Sequence, residues 1–162
     1  TYAPLAEWLR TPPLQEKLAK LAPIWLTEVA RLLPELLLQH PSLPAPQPLT
    51  ERWQQKQFFE ALLHAFTVAP QPLLLLLDDL QWCDADTLAW LQYLLEAAPK
   101  APLLVVGTVR SDEVDEAHPL HRLRRMLLRT GQLTTIDLAP LSAAETAALG
   151  GGGVASTVRA RV

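Results

Sequence analysis

The apolar and polar positions of the chain follow two patterns, and the change between them falls near residue 72. Before it, apolar residues recur at helical spacing in short stretches, and prolines divide residues 3 to 38 into several helical pieces. Residues 40 to 48 carry four prolines and predict an extended loop. A longer helix is predicted over residues 51 to 66, with Thr50 as its N-cap.

From residue 72 onward the pattern predicts strand, helix, strand, helix, strand, which is typical of a parallel sheet. The strands are predicted over residues 73 to 77, 103 to 109 and 133 to 138. The first is five leucines without a polar interruption, so we expect it to be buried on both faces. The sequence therefore indicates an α/β fold whose first third is helical.

Helix signals lie between and after these strands. Asp84 is expected to cap the helix that follows the first strand, and Trp82 just before it is expected to pack. A second helix begins near Pro119 and ends at Gly131. Ser142 begins a third, in which Glu145 completes a capping box.

Composition narrows the class of protein. The 162 residues are 49% hydrophobic and 19% charged, which is typical of one soluble globular domain, or most of one. The net charge of -3 provides no general attraction to nucleic acid or to an anionic membrane, and the arginines in residues 121 to 129 are expected to form the solvated face of a helix. One cysteine, Cys83, excludes an internal disulfide framework, and without a signal peptide we expect a cytoplasmic location.

The first strand ends in two adjacent carboxylates, Asp78 and Asp79. Parallel α/β sheets bind ligands at the carboxyl ends of their strands, and a nucleotide site needs an acid for Mg²⁺ and a polar group to orient water. We therefore assign Asp78 to the metal and Asp79 to water polarisation. The structural alternative is that both acids only end the strand and help to cap the next helix.

A family resemblance supports the first interpretation. Residues 77 to 84, Leu-Asp-Asp-Leu-Gln-Trp-Cys-Asp, resemble the Walker B region of STAND-type P-loop ATPases, the AAA-like modules of large bacterial transcriptional activators of the LuxR and SARP types and of adenylate-cyclase-linked regulators. Cys83 stands where that family usually has alanine. Residues 105 to 110, Val-Val-Gly-Thr-Val-Arg, resemble the next strand, whose terminal Arg110 would be the γ-phosphate sensor. The resemblance covers residues 2 to 149.

The resemblance implies a partial P-loop NTPase fold of the ASCE or AAA-like class, a three-layer α-β-α arrangement around a parallel sheet. Residues 1 to 49 would be a helical, proline-rich insert, residues 50 to 149 the Walker B and sensor half, and residues 150 to 162 a disordered glycine-rich tail. It also implies ATP and Mg²⁺ as cofactors and other domains of the same polypeptide as partners, with no nucleic-acid or membrane contact from this segment. Asp78, Asp79 and Arg110 would contact the nucleotide, Asp78 through the metal, and Asp79 and Arg110 would be catalytic.

One departure from the family is that no Gly-x-x-x-x-Gly-Lys-Ser/Thr motif occurs in the chain. We expect that this phosphate-binding loop preceded Thr1 in a longer parent, and that the chain alone binds ATP poorly. The strand before that loop would lie between the strands at 103 to 109 and 133 to 138, so these should pair improperly or leave apolar edges that aggregate. The alternative is a non-catalytic scaffold that lost the loop and keeps the fold for protein contacts.

Overall fold

The computed structural model describes residues 1–68 and 71–150. The chain divides into two compact units, of which the first is Thr1–Gly131 and the second begins at Gln132. The glycine-rich tail predicted from residue 150 onward lies, after its first residue, outside the described residues. Among the described residues, no helix combines the length and the apolar composition that a membrane crossing requires.

The first unit begins with short helices, as predicted: α1 (Ala3–Leu9), α2 (Pro12–Leu18), α3 (Pro23–Val29) and α4 (Glu35–Gln39). Each of the first three has a proline at its first or second position, where the missing N–H removes no hydrogen bond of the helix. The longer helix α5 (Arg52–Thr67) follows. Its N-cap is Glu51 and not the predicted Thr50, because the Glu51 carboxylate forms a capping box with Gln54.

The sheet has two strands, β1 (Leu73–Leu77) and β2 (Leu103–Gly107), which pair in parallel with Leu73 opposite Leu103. They are joined by α6 (Ala85–Ala97), so the predicted strand–helix–strand unit is confirmed. β2 ends two residues before its predicted end, because β1 ends at Leu77. The last hydrogen bond between the two strands is the one that the Thr108 N–H donates to Leu77 O, 3.0 Å long.

The predicted strand over residues 133 to 138 is wrong. These residues belong to the second unit and have no regular secondary structure. A strand needs a neighbouring strand for its backbone hydrogen bonds, and none of the described residues pairs with this segment. The expected faulty pairing with residues 103 to 109 is therefore absent from the described structure, while the expected aggregation stays a prediction.

Within the described residues of the first unit, helices cover one face of the sheet only. Leu75 and Leu77 point into the core and are 2% and 6% exposed. The opposite face, which we call the open face, consists of four aliphatic side chains that are 42% to 61% exposed: Leu74, Leu76, Leu104 and Val106. The expected burial of the first strand on both faces is wrong, and the described residues of the first unit form two layers where the resemblance implies three. A run of leucines shows that each position is apolar, but it does not show what covers it.

Aromatic side chains connect the helices of the core. The rings of Phe66 and Trp90 lie 4.8 Å apart between centroids, and those of Phe59 and Tyr93 lie 5.6 Å apart, so α5 packs against α6. Trp90 is completely buried. These contacts join α5 and α6 in the core of the first unit.

The last two helices confirm their predictions. α7 (Leu120–Thr130) buries Leu123 and Met126 and ends at Gly131, whose φ of 66° is the left-handed conformation that favours glycine. Its four arginines are exposed: Arg122, Arg124, Arg125 and Arg129. In the second unit, α8 (Ala143–Gly150) begins with the predicted capping box, in which the Ser142 N–H donates to Glu145 Oε2 at 2.8 Å.

Candidate functional site

The two acidic residues leave the end of β1 in different directions. Side chains alternate along a strand, so Asp78 continues the row of Leu74 and Leu76 on the open face, and it is exposed. Asp79 has φ 54° and ψ 56°, a left-handed conformation that costs a non-glycine residue roughly 1–2 kcal/mol. The chain therefore turns at Asp79 into a 3₁₀ helix (Leu80–Trp82).

Thr108 stabilises this turn and connects the two acids. Its hydroxyl oxygen accepts a hydrogen bond of 2.9 Å from the Asp79 N–H, and the same hydroxyl donates to Asp78 Oδ1. Its carbonyl accepts from the Leu80 N–H at 2.9 Å. The sequence did not isolate Thr108, although the parallel register, which pairs Leu77 with Gly107, places it beside Asp78.

Gln81 is a buried polar residue behind the acids, only 6% exposed. Its side-chain N–H₂ donates to Asp79 Oδ1 at 2.9 Å and to Glu113 Oε2 at 3.4 Å. Its side-chain oxygen accepts from the Arg110 N–H at 3.2 Å. One amide thus links the turn after β1 to the segment after β2, a role that the sequence alone did not indicate.

Arg110 follows β2 and lies at the same edge of the sheet. Its Nη1 forms an ion pair of 2.9 Å with Glu113 Oε1, and the arginine side chain is 61% exposed. An exposed pair of this kind contributes only about 0–1 kcal/mol, so a stronger anion can displace Glu113. The guanidinium also has more N–H donors than one ion pair uses. Arg110 therefore has an exposed guanidinium with further N–H donors at this edge of the sheet.

His118 ties the start of α7 to the same turn. Its Nδ1 accepts from the Leu120 N–H at 3.1 Å, so the proton of the neutral ring is on Nε2. That Nε2–H donates to the backbone oxygen of Gln81 at 2.9 Å. The residue is therefore a structural link, which agrees with the absence of a metal cluster around it in the described part of the chain.

The close approach of the Leu80 side chain explains Gly107. A Cβ at this position would lie 2.2 Å from Leu80 Cδ1 and 3.0 Å from its Cγ. Glycine therefore lets Leu80 fold back over the end of β2. This packing holds the turn that carries Asp79.

The residues after the turn have separate roles. Asp84 is the N-cap of α6, as predicted: its Oδ1 accepts from the Thr87 N–H at 2.9 Å, and its Oδ2 accepts from the Tyr2 N–H at 3.1 Å. Trp82 is 70% exposed, so the expectation that it packs is wrong. Burial raises the pKa of the Cys83 thiol to about 11, with a further contribution from the negative charge of Asp84. A thiol of this kind is a poor nucleophile.

The oxygen atoms of Asp78 and Thr108 could provide only part of the coordination shell of Mg²⁺. Within residues 1–68 and 71–150, no group of three or more His, Cys, Asp or Glu side chains is placed to hold a metal. Mg²⁺ bound with a nucleotide typically takes one or two carboxylates and completes its octahedron with water and phosphate oxygens. Asp78, with the Thr108 hydroxyl beside it, supplies that number and type of ligand.

A groove of the first unit lies away from these residues. It has a volume of about 400 Å³ and lies between α6 and α7, lined by Leu88, Tyr93 and Leu123 among others. The acids lie instead at an open edge of the sheet.

Comparison with known proteins adds no assignment. No family model, no curated protein and no solved structure matches this chain.

Proposed function

We propose that this chain is the magnesium-binding and sensor part of a STAND-type P-loop ATPase module, in which ATP switches a multidomain transcriptional or signal-transduction regulator. One observation carries the proposal. Thr108 and Gln81 connect Asp78, Asp79 and Arg110 at the carboxyl edge of a parallel strand pair, where such sheets bind nucleotides.

Asp78 is the residue that would hold Mg²⁺, because it is exposed and one of its oxygens is fixed by Thr108. The metal would neutralise charge on the phosphate oxygens of bound ATP. Asp79 is oriented by Gln81 and would polarise a water molecule. Arg110 would exchange its Glu113 partner for the terminal phosphate, which would make its position depend on the nucleotide.

Manganese can test the metal site in this chain, because Mn²⁺ replaces Mg²⁺ and broadens nearby NMR signals. We expect broadening around residues 77–79 and 107–109, lost in Asp78→Asn. Asp112→Asn, in the exposed acidic turn after β2, is the matched control and should leave the broadening unchanged. Broadening centred on residues 112–116 that survives Asp78→Asn would place the cation elsewhere and contradict the proposal.

The nucleotide can be tested by comparing two polypeptides. Calorimetry of this chain should show no micromolar binding of Mg·ATP, since its sequence has no phosphate-binding loop. In a parent polypeptide that carries such a loop, Asp78→Asn should reduce ATP hydrolysis at least a hundredfold, while Asp112→Asn should change it less than twofold. Unchanged hydrolysis in the Asp78→Asn parent would refute the assignment.

The open face favours a second candidate, a non-catalytic scaffold of the same fold that binds other proteins. The two candidates differ in the coding sequence upstream of Thr1. A strand followed by Gly-x-x-x-x-Gly-Lys-Ser/Thr supports the ATPase, and a start codon near Thr1 supports the scaffold.

A further inference from the structure

The segment between α4 and α5 is restricted to one kind of backbone conformation by its own sequence. Each residue from 43 to 48 is either a proline or the residue before a proline: Leu43, Pro44, Ala45, Pro46, Gln47 and Pro48. The proline ring fixes φ at about −65°, and the residue before a proline is restricted to extended conformations. Polyproline II, a left-handed helix with three residues per turn, meets both restrictions. The six residues therefore favour a polyproline II segment about 19 Å long.

The burial of this segment repeats at every third residue. Leu43 and Pro46 are half-buried, and Leu43 packs against the core. The residues on either side of them are exposed. A helix with three residues per turn places residues three apart on the same face, so this pattern agrees with polyproline II. The outward side, which we call the proline ridge, consists of four exposed residues: Pro44, Ala45, Gln47 and Pro48.

The segment is fixed at both ends, but its backbone has no partner in between. The Leu43 N–H donates to His40 O at 2.9 Å, and the Thr50 N–H donates to Gln54 Oε1 at 2.8 Å. No backbone group of residues 44–49 forms a hydrogen bond with another described residue. Proline has no N–H, so the backbone of the proline ridge offers mainly carbonyl acceptors. A partner of this surface must therefore supply hydrogen-bond donors beside apolar proline rings.

We propose that the proline ridge is a docking surface for a partner domain whose groove is lined by aromatic side chains. Tryptophan and tyrosine present a flat apolar ring together with an N–H or O–H donor, which is the combination that the ridge requires. Because both ends of the segment are already fixed, binding loses little conformational entropy. Six residues bury less than the roughly 1,200 Å² of a standard interface, so the binding is weak and transient. The docking surface uses none of the candidate-site residues, so it does not require that the chain bind a nucleotide.

A second copy of the chain fits the proline ridge less well. Its most exposed aromatic side chains are Trp53 and Trp82, which are 63% and 70% exposed. Neither of them contacts another aromatic ring within the described residues. Recognition of polyproline II uses a groove lined by several aromatic rings, and an isolated tryptophan does not form one. The partner is therefore a different protein domain.

Two known proline-binding domains test the surface directly. The probes are a WW domain and a Src homology 3 domain, which bind polyproline II through aromatic grooves. Titration of the isotope-labelled chain, followed by NMR, should show that at least one probe shifts the amide signals of Ala45 and Gln47. The signal of Leu128, an exposed leucine on α7, should stay in place. The control is the same probe with its groove tryptophan replaced by alanine, which should bind at least tenfold more weakly.

Two matched variants of the chain distinguish the ridge from other prolines. Replacing both Pro44 and Pro48 with serine should weaken binding of the probe at least tenfold, whereas Pro41→Ser, at an exposed proline before the ridge, should change it less than twofold. Because all three prolines are exposed, both variants should keep the melting temperature of the original chain within a few degrees. Absence of binding by both probes, or binding that survives the double replacement, would overturn the proposal. A concentration-dependent dimer abolished by the double replacement would also overturn it, since a second copy would then be the occupant.

Discussion

Replacing Gln81 with methionine tests whether one buried amide holds the candidate site together. Methionine has a similar length and volume, so the packing is kept while three hydrogen bonds are lost. Those bonds join Gln81 to Asp79, to Glu113 and to the Arg110 N–H. The variant therefore separates the turn after β1 from the segment after β2.

The expected loss follows from the three bonds. A hydrogen bond to a charged group contributes about 1.5–3 kcal/mol and a neutral one about 0.5–1.5 kcal/mol. Asp79 is partly exposed and water can replace its partner, and the 3.4 Å bond to Glu113 is long. The added apolar burial of methionine offsets part of the loss. We expect the free energy of unfolding to fall by about 2 kcal/mol.

Urea unfolding measures this loss, and the slope of the transition should stay unchanged. The control is Gln92→Met on the surface of α6, because Gln92 also donates to a carboxylate, that of Glu96, at 2.9 Å. That local pair should contribute only about 0.2–0.5 kcal/mol. If Gln81→Met costs no more than Gln92→Met, Gln81 does not hold the site together.

Three further predictions concern neighbouring residues. Asp84→Ala should destabilise the chain by about 1–2 kcal/mol through loss of the α6 cap. Burial alone would raise the pKa of Asp84, but the hydrogen bonds that it accepts from Thr87 and Tyr2 outweigh burial and lower the pKa, so the contribution of Asp84 to stability is lost as pH falls below 3.8. Acid unfolding at an unchanged midpoint in Asp84→Asn would argue against this. The rate of Cys83 alkylation should rise with an apparent pKa near 11 in the folded chain and near 9 after denaturation. The free energy of unfolding should fall as pH rises from about 9 to about 11, because the thiol of the unfolded chain ionises first. One common pKa would be inconsistent with the burial of Cys83. Gly107→Ala should displace Leu80 and lower the melting temperature. The control Ala89→Gly, at an exposed position of α6, should lower the free energy of unfolding by only about 1 kcal/mol. A Gly107→Ala variant as stable as the original would contradict the close approach of Leu80.

Local signals predicted the helices and the first strand well. Prolines and capping residues act on their immediate neighbours, so the ends of α6, α7 and α8 could be predicted from Asp84, Gly131 and Ser142. The N-cap of α5 shifted by one residue, because Thr50 and Glu51 both reach Gln54 and the sequence does not rank them. The false strand at residues 133 to 138 has another cause. Its apolar residues fit a strand, but a strand also needs a partner strand, and none of the described residues provides one.

The residues of the candidate site also fall into two groups, those that local sequence signals indicate and those that only tertiary contacts reveal. Asp78 and Asp79 were proposed because they follow an apolar run that predicts a strand, and Arg110 was proposed because of the family resemblance. Thr108 and Gln81 were not assigned to the site, because the links that they form depend on bonds to residues about 30 positions away. Gln81 also sits in a polar turn, and nothing local shows that it is buried.

By itself, the sequence determined the parallel strand–helix–strand unit and the acids at its carboxyl edge, since both follow from patterns a few residues long. Only the tertiary structure decided where the two acidic side chains point: Asp78 faces the open side of the sheet, and Asp79 turns back toward Gln81. It also decided that Leu74 and Leu76 of β1 are exposed, while Leu75 and Leu77 are buried. The physical reason is that an apolar side chain carries its own preference for burial, whereas the surface that buries it must come from another part of the fold.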